Sequence, residues 1–90
     1  MKTYVSFRET VSKNYQSETQ EFGMEVEVGK GRTEFEKVKR AQMLCKAVVR
    51  SALGKKSGLR RHELDDLSDE FFGVTWQELD TGVSKGDEVL

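Results

Sequence analysis

Ninety residues, 34% of them charged and 36% apolar, make a chain with a thin core and a net charge of only −1. No apolar run approaches the roughly 20 residues of a membrane span, and the polar–apolar alternation after Met1-Lys2-Thr3-Tyr4 gives no expectation of a secretory leader. A lone cysteine, Cys45, excludes an internal disulfide, so the expected setting is a reducing cytoplasm. Near-neutrality hides three blocks: residues 1–29 carry net −2, residues 30–62 net +9 and residues 63–90 net −8. Segregation of this kind points to an electrostatic partner.

Residues 3–11 place Val5, Phe7, Glu9 and Val11 on one side of an extended chain, with Tyr4, Ser6, Arg8 and Thr10 on the other. Residues 21–28 repeat the pattern with Phe22, Met24, Val26 and Val28. A period of two with one apolar face predicts two strands half buried on a sheet. The polar stretch Ser12 to Gln20 is expected to be a longish hairpin loop with Tyr15 near its tip.

Gly29-Lys30-Gly31 breaks the second strand. Thr33 and Glu36 have capping-box spacing, which predicts a helix to about Leu53 with Gly54 as its stop. At about 100° per residue, Phe35, Val38, Ala41, Cys45, Val48, Val49, Ala52 and Leu53 fall on one arc, the expected core face. Lys39, Lys46 and Arg50 form a basic stripe beside it, next to Met43. Lys55, Lys56, Arg60 and Arg61 continue the positive charge through a hinge. Leu64, Leu67 and Phe71 then predict a short helix ending at Gly73. Thr75 with Glu78 has the spacing to cap one more turn carrying Trp76 and Leu79, and Thr81 to Leu90 is expected to fray.

The expected fold is therefore α+β: a β-hairpin packed on one long helix, with a short second helical segment. It divides into a hairpin–helix core with basic helix and hinge, 1–62, and an acidic, aromatic C-terminal segment, 63–90. Two strands and one helix cover each other incompletely, so a homodimer through sheet or helix is expected, the alternative being that Leu67, Phe71, Phe72 and Trp76 fold back over the core.

Catalytic readings find little support. Cys45 lies on the apolar helix face, where a free cysteine packs as a small hydrophobe, and His62 sits in a charged hinge. No His, Cys, Asp and Glu have the spacing of a metal site, and the acids from Asp65 to Glu70 lack the glycine-centred loop of an EF-hand. Gly29-Lys30-Gly31-Arg32-Thr33 and Gly54-Lys55-Lys56-Ser57 lack Walker spacing. The expectation is a binding protein with no catalytic residues, no metal and no cofactor.

Eleven basic residues against Glu34 and Glu36 between positions 30 and 62 are the strongest signal. Lysine and arginine gain affinity for phosphate backbones by releasing condensed counterions, and exposed Tyr4 or Tyr15 can add base stacking. The expected nucleic-acid-binding residues are Lys39, Lys46, Arg50, Lys55, Lys56, Arg60 and Arg61. The acidic segment would lie against them and moderate binding; in composition it resembles the acidic tails of bacterial single-stranded-DNA-binding proteins, without their terminal phenylalanine. A different reading makes Phe71, Phe72 and Trp76 aromatic anchors for a host protein. A third places a small anionic ligand near Gly29 to Arg32, at a dimer interface.

The stretch Tyr4-Val5-Ser6-Phe7-Arg8-Glu9-Thr10-Val11, followed by Asn14-Tyr15 and by Met24-Glu25-Val26-Glu27-Val28 before a charged helix, resembles a small group of phage and prophage proteins. The resemblance covers residues 4–53. It implies a phage genome and a bacterial cytoplasm as the setting, and it supplies no catalytic residues. Small phage proteins act on nucleic acid or inhibit a host defence, which accommodates both the nucleic-acid and the host-protein reading.

Overall fold

The computed structural model describes residues 1–77. Its elements are strands β1 (Lys2–Lys13) and β2 (Gln16–Glu27), then helices α1 (Arg32–Ala52) and α2 (Arg61–Phe72). The chain divides into two compact units, one of Met1–Gly58 and one from Leu59 onward.

In the first unit β1 and β2 form an antiparallel hairpin, with Val5 opposite Met24 and Phe7 opposite Phe22. The alternation does what its period requires. Val5, Val26 and Val28 are buried, and Phe7, Phe22 and Met24 half-buried, on the face that α1 covers. The opposite face carries exposed Tyr4, Arg8, Glu21 and Glu25. There the Tyr4 ring lies across Gly23, where a Cβ would come within 2.9 Å of Cε2 and closer still to the hydroxyl.

The longish loop is not present. Strand pairing continues to Lys13 opposite Gln16, and only Asn14 and Tyr15 remain as the turn, at φ 52° and 65°. Two consecutive positive φ values make a type I′ turn, whose twist matches that of the strands. Ser, Thr, Glu and Gln satisfy a ladder without needing burial, so pairing runs past the end of the apolar pattern. Tyr15 stands at the tip, fully exposed, as expected.

The start of α1 also differs. Gly31 is the N-cap, at φ 106°, and Thr33 lies inside the first turn without capping it. The carboxylate that reaches back belongs to Glu34, which accepts the Gly29 N–H at 2.7 Å. A glycine at positive φ lets the chain enter the helix two residues earlier than a threonine cap would. At the other end Leu53 is the C-cap and Gly54 follows at φ 74°, the expected stop. The fully buried positions are Ala41, Leu44, Cys45 and Ala47, with Val49 at 1%. Phe35 leaves the expected core arc and is 61% exposed, and Ala52 is exposed too. Leu44 takes the central place that arc did not assign to it.

In the second unit α2 buries Leu64, Leu67 and Ser68, and Gly73 closes it in the left-handed conformation with its N–H on the Asp69 carbonyl at 3.0 Å. The Glu63 carboxylate accepts the Arg60 N–H at 3.1 Å and satisfies one orphan donor at the helix start. Trp76 and Gln77 begin a further helical turn, and the Trp76 N–H is held by Asp65 Oδ1 at 3.0 Å. Glu78 and Leu79, needed for the expected Thr75 cap, and the expected frayed end lie outside the described residues. No helix among the described residues is long and apolar enough to cross a membrane.

Candidate nucleic-acid interface

A 21-residue helix laid on two strands keeps part of its circumference in solvent. On α1 that part carries Arg32, Phe35, Lys39, Gln42, Met43 and Lys46, all exposed. Arg32, Lys39 and Lys46 are seven residues apart, which returns each to nearly the same direction at intervals of about 10.5 Å. Lys39 Nζ stands 5.4 Å from the centroid of the Phe35 ring and 4.0 Å from the Glu36 carboxylate. Lys46 pairs with no carboxylate among the described residues.

Between the two lysines lies a shallow groove of about 300 Å³, lined by Phe7, Lys39, Gln42, Met43 and Lys46. Its surface is an aromatic ring and a thioether, with two ammonium groups and an amide beside them. A flat apolar ligand portion bearing anionic groups finds both kinds of contact there. Phe7 reaches the groove from β1, because its position on the helix-covered face brings it under the flank of α1 that carries Gln42 and Lys46.

The expected basic residues separate into three environments. Lys39 and Lys46 are solvent-facing on one helix face, as the stripe requires. Arg50 and Lys55 are engaged elsewhere. The Arg50 guanidinium donates to both Glu9 carboxylate oxygens, at 3.1 and 3.3 Å, and its Nε donates to the Lys56 carbonyl at 2.8 Å. Lys55 Nζ donates to the same carboxylate. These contacts, the Lys55 hydrogen bond first, hold the Glu9 carboxyl below its ordinary range against the opposing effect of desolvation. The hinge is thus tied to β1, and two of the expected cations share one carboxylate there. Lys56 is exposed. Arg60 and Arg61 belong to the second unit, at the start of α2, where Arg61 donates to Gln77 Oε1 at 3.2 Å.

Of the expected aromatic anchors, Phe72 is 40% exposed at the end of α2, while Phe71 and Trp76 are half-buried. Cys45 packs as expected, fully buried with Sγ 3.7 Å from the Val5 carbonyl, and burial pushes its thiol pKa up. His62 is exposed as the second residue of α2. No group of three or more His, Cys, Asp or Glu among the described residues is placed to hold a metal ion.

The sequence reading did not assign Arg32, Gln42 or Phe7 to the site and put Phe35 in the core. The seven-residue recurrence of Arg32, Lys39 and Lys46, and of Phe35 and Gln42, was the available signal. Compared with family models, curated proteins and solved structures, the chain matches none.

Proposed function

We propose that this chain is a non-enzymatic nucleic-acid-binding protein that holds a phosphate backbone along the exposed face of α1. One observation carries the reading: Arg32, Lys39 and Lys46 recur on a single solvent face beside an apolar groove floored by Phe7 and Met43. Spaced cations supply the sequence-independent attraction to phosphates, and the groove and the exposed Phe35 supply faces on which unpaired bases stack. A single strand is the favoured ligand, because a duplex offers no base face to an apolar groove. Lys56 adds an exposed cation in the first unit, Arg60 and Arg61 add two in the second, and Arg50 and Lys55 serve the fold through Glu9. The acids from Glu63 to Leu90 moderate binding by competing for the same cations. A phage gene product in the bacterial cytoplasm suits this activity.

Fluorescence anisotropy of labelled single- and double-stranded oligonucleotides with the full chain tests it. Binding should favour the single strand, weaken steeply with salt and fall at least tenfold in the Lys39→Glu/Lys46→Glu double variant, about 1.4 kcal/mol or more. Absence of binding at low salt, or equal binding by the double variant, removes the reading.

A second reading is favoured by Phe72, which stays 40% exposed next to Asp69 and Glu70. A phage-encoded inhibitor of a host defence protein would use Phe71, Phe72 and Trp76 as anchors. Such a contact depends on salt much less than phosphate binding does.

A further inference from the structure

The two edges of the hairpin are not equivalent. The Met1 carbonyl accepts the Val28 N–H at 2.8 Å, which identifies that pair as hydrogen-bonded. Alternation along the antiparallel register then turns Thr3, Val5 and Phe7 toward β2, and leaves Tyr4, Ser6 and Arg8 with backbone N–H and C=O directed to the open side of β1. On β2 the outward residues are Glu21, Gly23, Glu25 and Glu27. Joining two β2 edges antiparallel about Gly23 would set carboxylate against carboxylate. The outward positions of β1 between Lys2 and Thr10 carry no acid.

Among the described residues, the flank of α1 above Phe7 of β1 is also left uncovered. Lys37 donates to the Glu27 carbonyl at the end of β2, at 2.8 Å. The groove flank is lined by Phe7 of β1 and by no residue of β2. Exposed Phe35, at 61%, and Met43, at 41%, stand on the same solvent face of α1. A strand edge whose backbone groups have no partner among the described residues, with apolar side chains above it, is a surface suited to a second identical edge.

We infer that two copies of this chain associate through β1, antiparallel about Ser6, to form a four-stranded sheet. In that register Tyr4 of one copy pairs with Arg8 of the other and Lys2 with Thr10, so no two like charges face each other across the seam. Phe7 meets Val5 across the seam beneath the helices. The two grooves become neighbours, so Lys39 and Lys46 of both copies border one shared cleft. The association stands without any nucleic acid. The shared cleft as one binding site rests on the nucleic-acid reading, and repulsion among its four lysines makes a bound polyanion tighten the dimer.

Sedimentation equilibrium of the full chain at physiological ionic strength, without nucleic acid, should give twice the 10.3 kDa chain mass. Ser6→Pro removes an outward N–H of β1 and should yield monomer; Thr19→Pro does the same on β2 and should leave the dimer. Where circular dichroism shows that a proline variant unfolds, cysteine trapping decides. Facing Ser6 Cα atoms in a bonded pair would stand about 5.5 Å apart, so Ser6→Cys should form an interchain disulfide on mild oxidation, and Thr19→Cys should not. A monomeric wild type, dissociation of folded Thr19→Pro, persistence of the dimer in folded Ser6→Pro, or crosslinking at Thr19 overturns the inference. A β1-joined dimer that binds no oligonucleotide would remove the nucleic-acid reading alone.

Discussion

Arg50 and Glu9, 41 positions apart, meet through two hydrogen bonds of 3.1 and 3.3 Å, joining the last turn of α1 to the middle of β1. Lys55 donates to the same carboxylate from beyond the helix end. One acid therefore holds the C-terminal part of α1 and the start of the hinge against the hairpin. It stands on the helix-covered face of β1, in the row of Val5 and Phe7.

Glu9→Gln should lower the melting temperature by a few degrees at neutral pH, because it leaves two cations beside a group that no longer compensates them. The Glu9 pKa is depressed in the folded state. Its contribution is therefore present above the unfolded carboxylate pKa and is lost as pH falls through the folded value. Melting curves of wild type and variant should converge in acid. A constant difference down to low pH would show that packing, rather than charge, is lost.

Leu44→Ala should destabilise the fold by about 2–5 kcal/mol, since Leu44 is fully buried and its removal leaves a cavity. Phe35→Ala, at an exposed position, should cost less than about 1 kcal/mol. Urea titration of both variants separates the observed core from the arc that helical periodicity alone suggests. Equal costs would place Phe35 in the core after all.

Tyr15→Gly should stabilise the hairpin by about 0.5–1 kcal/mol, because φ 65° suits glycine and the tyrosine side chain is wholly exposed. Asn-Gly would then occupy a type I′ turn that strongly prefers it. The measurement is the denaturation midpoint. A fall would mean that the Tyr15 ring makes stabilising contacts that outweigh its strained backbone.

Ser68→Ala should leave stability unchanged or raise it by about 1 kcal/mol. The Ser68 hydroxyl is fully buried and has no hydrogen-bond partner among the described residues, so the serine carries a desolvation cost that alanine lacks. Thermal unfolding is the readout, and a clear loss of stability would reveal a partner for that hydroxyl.

Cys45 should resist a bulky thiol reagent in the native protein and react as the chain unfolds. Burial both blocks access and raises the thiol pKa, which depletes the thiolate. Reaction in native buffer at the rate of a free thiol would show that the first unit opens readily around α1.

The α+β class and the four elements were legible from periodicity alone, because each strand and helix has one apolar side and that side must be covered. Gly54 and Gly73 marked helix ends correctly for a local reason: both adopt the left-handed conformation in which glycine carries no steric penalty. The hairpin turn was less legible. Ser12 to Gln20 has no apolar pattern, and backbone pairing registers no hydropathy, so a ladder of polar residues reads as a loop. The stripe was half legible. Helical spacing put Lys39, Lys46 and Arg50 together, and nothing local announced that Glu9 would meet Arg50.

What the sequence determined by itself is everything governed by neighbours along the chain: strand period, helix extent, glycine stops, and the crowding of positive charge between residues 30 and 62. What only tertiary structure decided is which of those charges face solvent and which side chains fill the core. Burial depends on where α1 crosses the hairpin. That crossing takes Leu44 inside and leaves Phe35 out, and it brings Glu9 to Arg50 and Lys55 while Lys39 and Lys46 stay in water.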